Sequence, residues 1–205
     1  MDQISDIEQV RRGIIAATGM SEEAFELSAP YWQHKEYKKG EYFNEYKSVC
    51  KHLGFVLNGV FRIYWVNPAT GEERNMLFFT ERQFVTSYQS FLTQTSCNYY
   101  TESMISSTIL YIHIDRLHQL YKESHEWEHF GRILAESAFA SVMKSTEGFL
   151  LHTAEERYLR MIEEHPMIIN SVPLYHIASY LGIQGPSLSR IRKRLHHFNS
   201  SGHRL

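Results

Sequence analysis

The chain has 205 residues, of which 43% are hydrophobic, 14% aromatic and 21% charged, the balance of a folded protein with room for one large domain and a small one, or for two modest domains. It contains no run of roughly 18 or more uncharged apolar residues, and the start Met1-Asp2-Gln3-Ile4 lacks a basic, apolar leader; a cytoplasmic protein with no membrane partner is expected. The formal net charge of −2 hides an asymmetry, because all 23 acidic residues precede Pro166 while Arg190, Arg192, Lys193, Arg194 and Arg204 follow it, which suits a polyanion-binding end on an acidic body.

The first thirty residues are predicted helical: Ile4, Ile7, Val10, Ile14 and Ile15 recur at three- and four-residue steps, and Ser21 can cap a second short helix opening with Glu22-Glu23. Ala29-Pro30 ends that segment. From about His34 short aromatic and β-branched runs alternate with turn signals, as strands do. Asn58-Gly59 stands between Gly54–Leu57 and Val60–Trp65 and predicts a tight hairpin. Asn67-Pro68-Ala69-Thr70-Gly71 predicts a second turn, leading into a strand at Arg74–Phe79. Further strands are expected around Cys97–Ser103 and Thr108–Ile114. So many short antiparallel strands indicate a sandwich, jelly roll or barrel.

A long helix is predicted from Ser124 to about Leu151, where only Gly131 and Gly148 interrupt the pattern. Trp127, Phe130, Leu134, Ala138, Ser141 and Val142 form one stripe on it. The stripe can pack on the β domain, or serve as a dimer seam in which small Ala138 and Ser141 let two helices approach; the length of the stripe favours the seam. Thr153-Ala154-Glu155-Glu156 is a capping-box sequence starting a helix that stops at His165-Pro166, and Ser171-Val172-Pro173 opens another.

Pro173–Leu195 carries the functional signal. Ile177, Ala178 and Leu181, then Ile183, then Leu188, Ile191 and Leu195 follow the spacing of two short helices crossing at a sharp turn, with Gly182 ending the first and Pro186 suited to the start of the second. If Leu188, Ile191 and Leu195 face inward, then Ser187, Ser189, Arg190, Arg192, Lys193 and Arg194 lie on or beside the outer face that a recognition helix turns to the major groove. Arg190 is the first choice for bidentate contact with guanine, Ser187 and Ser189 can bond a base edge or a phosphate, and Arg192, Lys193 and Arg194 suit phosphates. The bland alternative is a solvated basic helix face.

On these motifs the chain resembles the Crp/Fnr superfamily, the relatives of the cyclic AMP receptor protein and the fumarate–nitrate regulator, over nearly its full length. The specific match is Ile177-Ala178-Ser179-Tyr180-Leu181-Gly182-Ile183 with Ser187-Leu188-Ser189-Arg190-Ile191-Arg192-Lys193; Phe55–Arg62 resembles the valine-leucine-x-glycine segment of the family's β-roll. The resemblance implies an α+β protein: a helical lead-in and cyclic-nucleotide-binding-like β-roll (jelly roll) over residues 1–123, a dimerisation helix over 124–151, and a winged-helix-type helix-turn-helix over 152–205. It implies a bacterial transcriptional regulator, not an enzyme, that binds double-stranded DNA as a homodimer, with RNA polymerase left open as a further partner.

Departures from the family pattern limit what carries over. Phe84-Val85-Thr86-Ser87 lacks the Gly-Glu pair that holds a ribose, and Asn98-Tyr99-Tyr100-Thr101 stands near the phosphate position with no Arg between Arg82 and Arg116. A buried cyclic phosphate would then lack its cation, so cyclic AMP is not expected. With only Cys50 and Cys97 present, a four-cysteine iron–sulfur cluster is not expected either, and no cofactor is assigned. Pro186, preceded by Gly185, stands where many members carry a base-reading Glu, so a different DNA preference is expected. Two other classes remain: a cupin-like metalloenzyme, for which His34, His52 and His113 look too isolated in the sequence, and a C-terminal module that docks protein instead of DNA.

Overall fold

The computed structural model describes the backbone of residues 5–200 and the side chains of residues 5–195. Helix α1 (Asp6–Thr18) buries Val10 and Ile14 and closes at Gly19, whose φ of 69° is the left-handed cap that a residue without Cβ adopts freely. Helix α2 (Glu22–Glu26) starts at Ser21, whose hydroxyl accepts from the Ala24 amide at 3.2 Å, as expected of the cap. A 3-10 turn, Ala29–Tyr31, then feeds the strands.

Among the described residues eight strands follow: β1 (Gln33–Tyr37), β2 (Tyr42–Asn44), β3 (His52–Asn58), β4 (Phe61–Val66), β5 (Glu73–Phe79), β6 (Phe84–Val85), β7 (Tyr100–Ser103) and β8 (Ser107–His113), with a short helix α3 (Tyr88–Thr93) between β6 and β7. They form two four-stranded sheets, ordered β1-β8-β3-β6 and β2-β7-β4-β5, with antiparallel neighbours throughout. Tyr37, Val56, Phe61, Val85 and Ile109 fill the space between them. Alternation along β4 sends Phe61 inward and Arg62 outward.

The expected hairpin at Asn58-Gly59 is not one. Strand β3 pairs with β6 and β8, whereas β4 pairs with β5 and β7, so the chain crosses there from one sheet to the other. A type I′ hairpin needs positive φ at both central residues. Only Gly59 has it, at 119°, and a Cβ on Gly59 would fall 2.7 Å from the Ser107 Cα. The apolar runs on both sides, read as partners, instead serve opposite walls of the roll. The true hairpin is β4–β5, where Val66 faces Glu73 and the Asn67 side chain accepts from the Ala69 amide at 2.9 Å, the turn that Asn67–Gly71 predicts.

Helix α4 (Ile114–Glu123) ends at Ser124, and α5 (His125–Leu151) runs on through Gly131 and Gly148 without a break. A Cβ on Gly131 would lie 2.8 Å from the Tyr121 ring, so the glycine permits the close approach of α4 and α5. Trp127 and Phe130 are fully buried, not on an open seam: they join Val10, Ile14, Phe25, Leu53 and Leu117 in the core beneath the first sheet. The Trp127 indole donates to the Ala24 carbonyl at 2.8 Å, and its ring meets Phe130 edge-on at 5.3 Å. Here the stripe takes the alternative of packing on the β domain.

Helices α6 (Ala154–Glu164), α7 (Pro166–Ser171), α8 (Leu174–Tyr180) and α9 (Gly185–Ser200) make up the rest of the described residues. The capping box forms as expected, Glu156 accepting from the Thr153 amide at 2.7 Å. A wing following α9 would fall after Ser200, outside the described residues. Their core, Tyr158, Met161, Ile168, Val172, Ile177, Ala178, Leu181, Leu188 and Ile191, also takes in Val60 and Met104 of the roll. No helix among the described residues is long and apolar enough to cross a membrane.

Candidate nucleic-acid interface

Helices α8 and α9 meet through Ile177, Ala178, Leu188 and Ile191, all buried, with small Ala178 allowing the close crossing. The turn between them is held by local bonds: the Gly182 amide donates to the Ser179 carbonyl at 3.1 Å and the Ile183 amide to the Ala178 carbonyl at 3.0 Å. Gly182 has φ of 70°, and a Cβ there would come within 3.0 Å of the Phe149 ring, so both backbone and packing select glycine.

On α9 the inward turn of Leu188 and Ile191 leaves Ser189, Arg190, Lys193 and Arg194 exposed, while Ser187 and Arg192 are half-buried. Arg190 Nη2 donates to the Ser187 hydroxyl at 3.2 Å, which sets the guanidinium near the start of the helix. Arg194 pairs with Glu155 of α6, so part of its charge is already met inside the protein. Of the six residues, Ser189, Arg190 and Lys193 share the open face of α9, exposed Arg194 lies beside them, and half-buried Ser187 and Arg192 flank that face.

On α5 the stripe divides. Trp127 and Phe130 belong to the core, Leu134 packs against it, Ala138 is half-buried, and Ser141 and Val142 are exposed. Beside Val142, the large apolar side chains of α5 open to solvent are Phe139 (69% exposed), Met143, Phe149, Leu150 (77%) and Leu151. Residues 139, 142, 143 and 150, separated by three, four and seven positions, share one face.

The two stretches that the resemblance places at a nucleotide's ribose and phosphate do meet. Ser87 and Thr101 share a hydrogen bond at 2.9 Å, Thr86 donates to the His52 carbonyl at 3.0 Å, and the Ser90 hydroxyl accepts from the Cys50 amide at 3.0 Å. These polar groups are buried and have their partners inside the protein, Ser87 and Thr101 in each other and Thr86 and Ser90 in backbone groups of His52, Cys50 and Thr95. Tyr100 points the other way, stacking on Tyr64 at 5.2 Å on the outer face of the second sheet.

The histidines are less isolated than their sequence spacing indicates. His52 and His113 are direct partners across β3 and β8, with ring centroids 5.2 Å apart. Burial and the neighbouring His113 lower the His52 pKa to about 4. Among the described residues no three His, Cys, Asp or Glu side chains gather as a metal site would need.

Sequence reasoning missed a polar seam between the roll and α8. Arg62, 3% exposed, reaches Glu73 Oε2 at 2.6 Å, Glu102 Oε2 at 2.6 Å, Asn75 Oδ1 at 3.2 Å and His176 Nδ1 at 2.7 Å, and its guanidinium lies 3.8 Å from the Tyr64 ring centre. Burial opposes its charge, but the two carboxylates outweigh this and raise its pKa. His176 is the converse: burial first, then Arg62, lowers its pKa to about 4, which leaves a neutral ring accepting at Nδ1. A cavity of about 230 Å³ opens beside this cluster, with Lys39, Met104 and Tyr175 among its lining residues. The available signal was an Arg inside the apolar alternation of Phe61–Val66, but its partners lie 11 to 114 residues away.

No protein-family model matches the chain, and no curated protein does. Solved structures do match. FixK2 from Bradyrhizobium japonicum superposes with a TM-score of 0.71 at 15% identity, over 82% of this chain and 86% of that one. CLP, a c-di-GMP responsive global regulator of Xanthomonas campestris, gives 0.66 at 13% identity, over 87% and 93%. A protein of the Crp/Fnr family from Eubacterium rectale gives 0.66 at 16% identity, over 90% and 86%. The chain has the Crp/Fnr fold, with its cyclic-nucleotide-binding-like roll followed by helices. At these identities the likeness is one of fold.

Proposed function

We propose that this protein is a sequence-specific, DNA-binding transcriptional regulator that acts as a homodimer on a pseudo-palindromic site. The observation that carries the reading is α9: its buried face is locked to α8 across the Gly182 turn, and its open face presents Ser189, Arg190 and Lys193 in the manner of a recognition helix. The acidic body and the basic end of the chain favour approach to a polyanion by that end. Residues 1–123, 124–151 and 152–205 serve as sensor, dimerisation helix and reading head. Two heads related by a twofold axis would read half-sites about one helical turn apart, roughly 34–36 Å.

The exposed face of Phe139, Val142, Met143 and Leu150 supports pairing along the second half of α5, with Ala138 and Ser141 beside the seam. Trp127 and Phe130 support it from within by anchoring the helix to the roll. The internal hydrogen bonds that already engage Ser87, Thr101, Thr86 and Ser90, with no arginine among these residues, support a roll that takes no cyclic nucleotide.

Selection of DNA from a random pool, repeated with Arg190→Ala and at two salt concentrations, tests the function. A twofold motif is expected, with the variant losing preference at one base pair by roughly 5- to 150-fold, the equivalent of about 1–3 kcal/mol. Affinity should fall steeply with salt. Retention of no DNA by the wild-type protein would refute the reading.

A further inference from the structure

The reading head is bound to the roll by more than the chain that joins them. Strand β5 is the edge of its sheet, so some of its backbone groups lack a neighbouring strand. Ser179 of α8 supplies what is missing: its hydroxyl accepts from the Asn75 amide at 3.0 Å and donates to the Glu73 carbonyl at 3.1 Å. One turn away, His176 accepts from Arg62 at 2.7 Å, and its own carbonyl accepts from the Asn75 side chain at 3.3 Å. Tyr180 meets Phe78 edge-on at 5.3 Å. Helix α8 thus offers β5 a substitute strand edge, flanked by a buried cation and an aromatic contact.

Arg62 is held on the roll side independently of α8. Glu102 takes its Nε at 3.1 Å and Nη2 at 2.6 Å, Glu73 takes Nη1, and the Tyr64 ring lies beneath the guanidinium. Tyr64 in turn stacks on Tyr100. The guanidinium is therefore already aimed when α8 arrives, and the helix needs only to present His176. The docked face of α8 is not the open face of α9, where Ser189, Arg190 and Lys193 stay exposed. Docking orients the recognition helix without covering it.

We propose that Arg62 is a positioning residue for DNA reading: it latches α8 to the second sheet and so fixes the pose in which α9 meets the groove. This rests on the DNA-binding reading above, but the latch itself can be measured without DNA. In hydrogen exchange on the free, full-length protein, Arg62→Met is expected to lower the protection of α8 and of the Asn75 amide about tenfold, the effect of losing one charge-assisted hydrogen bond. Arg74→Met is the control, because Arg74 is an exposed residue of β5, next to Asn75, and pairs with Glu72 at 3.6 Å; it should change nothing. Ser179→Ala leaves the chemistry of the roll intact and should lower protection in the same places if Arg62→Met fails to fold. With the DNA selected by the wild-type protein, the affinity of Arg62→Met should fall about tenfold while its salt dependence stays unchanged, since no phosphate contact is lost. Wild-type protection of α8 in a folded Arg62→Met protein, or in Ser179→Ala where Arg62→Met fails to fold, overturns the latch. Lost protection with DNA affinity unchanged or raised overturns the positioning role. A wild-type protein that retains no DNA refutes the function, while the exchange experiment still decides the latch.

Discussion

Replacing His176 by Asn should flatten the acid limb of the stability profile. The imidazole is buried against Arg62, with Glu73 and Lys39 nearby, and its pKa falls from 6.5 to about 4, through burial first and Arg62 second. A histidine kept neutral by the fold stabilises it fully above the unfolded value of about 6.5, and that contribution is lost as the pH falls toward 4, because the unfolded chain takes up the proton first. At 1.36 kcal/mol per pKa unit the wild-type protein should lose about 2 kcal/mol between pH 7 and pH 5 from this residue, and about 3 kcal/mol by pH 4. Asn keeps an acceptor near the Nδ1 position and cannot titrate. Urea unfolding of both proteins at pH 7, 5 and 4 isolates the effect, since His52 and the carboxylates titrate in both and cancel in the difference. Parallel profiles would show that His176 is as easily protonated in the folded protein as in the unfolded one, and would refute the account of the seam.

Other perturbations reach different levels of the structure. Phe139→Glu places a charge in the proposed dimer seam without touching the core, and sedimentation should shift from dimer to monomer; an unchanged mass would exclude this face. Gly59→Ala forces a Cβ to within 2.7 Å of the Ser107 Cα at φ of 119°, and should cost more than about 3 kcal/mol or abolish folding. Thermal denaturation reads that loss, and near-native stability would mean that the crossing relaxes. Thr153→Ala removes the capping box of α6 and should cost about 1 kcal/mol in denaturant unfolding, with little effect on the roll.

Features set by interactions within a few residues were legible in the sequence. The caps at Ser21 and Thr153, the turn at Asn67–Gly71 and the Gly182 turn between α8 and α9 rest on contacts at separations of two to five residues, and the local sequence indicates them. The inward face of α9 was also legible, because the period of 3.6 residues assigns Leu188 and Ile191 to one side and Ser189, Arg190 and Lys193 to the other. The crossing at Asn58-Gly59, the burial of Trp127 and Phe130, the pairing of His52 with His113 and the Arg62–His176 seam were decided by the tertiary structure. Asn-Gly supplies a positive φ to a hairpin and to a sheet crossing alike, and an apolar helical stripe fits its own roll as well as a second subunit. Such choices depend on which surfaces compete for the same residue, and those surfaces are assembled from segments far apart in the chain.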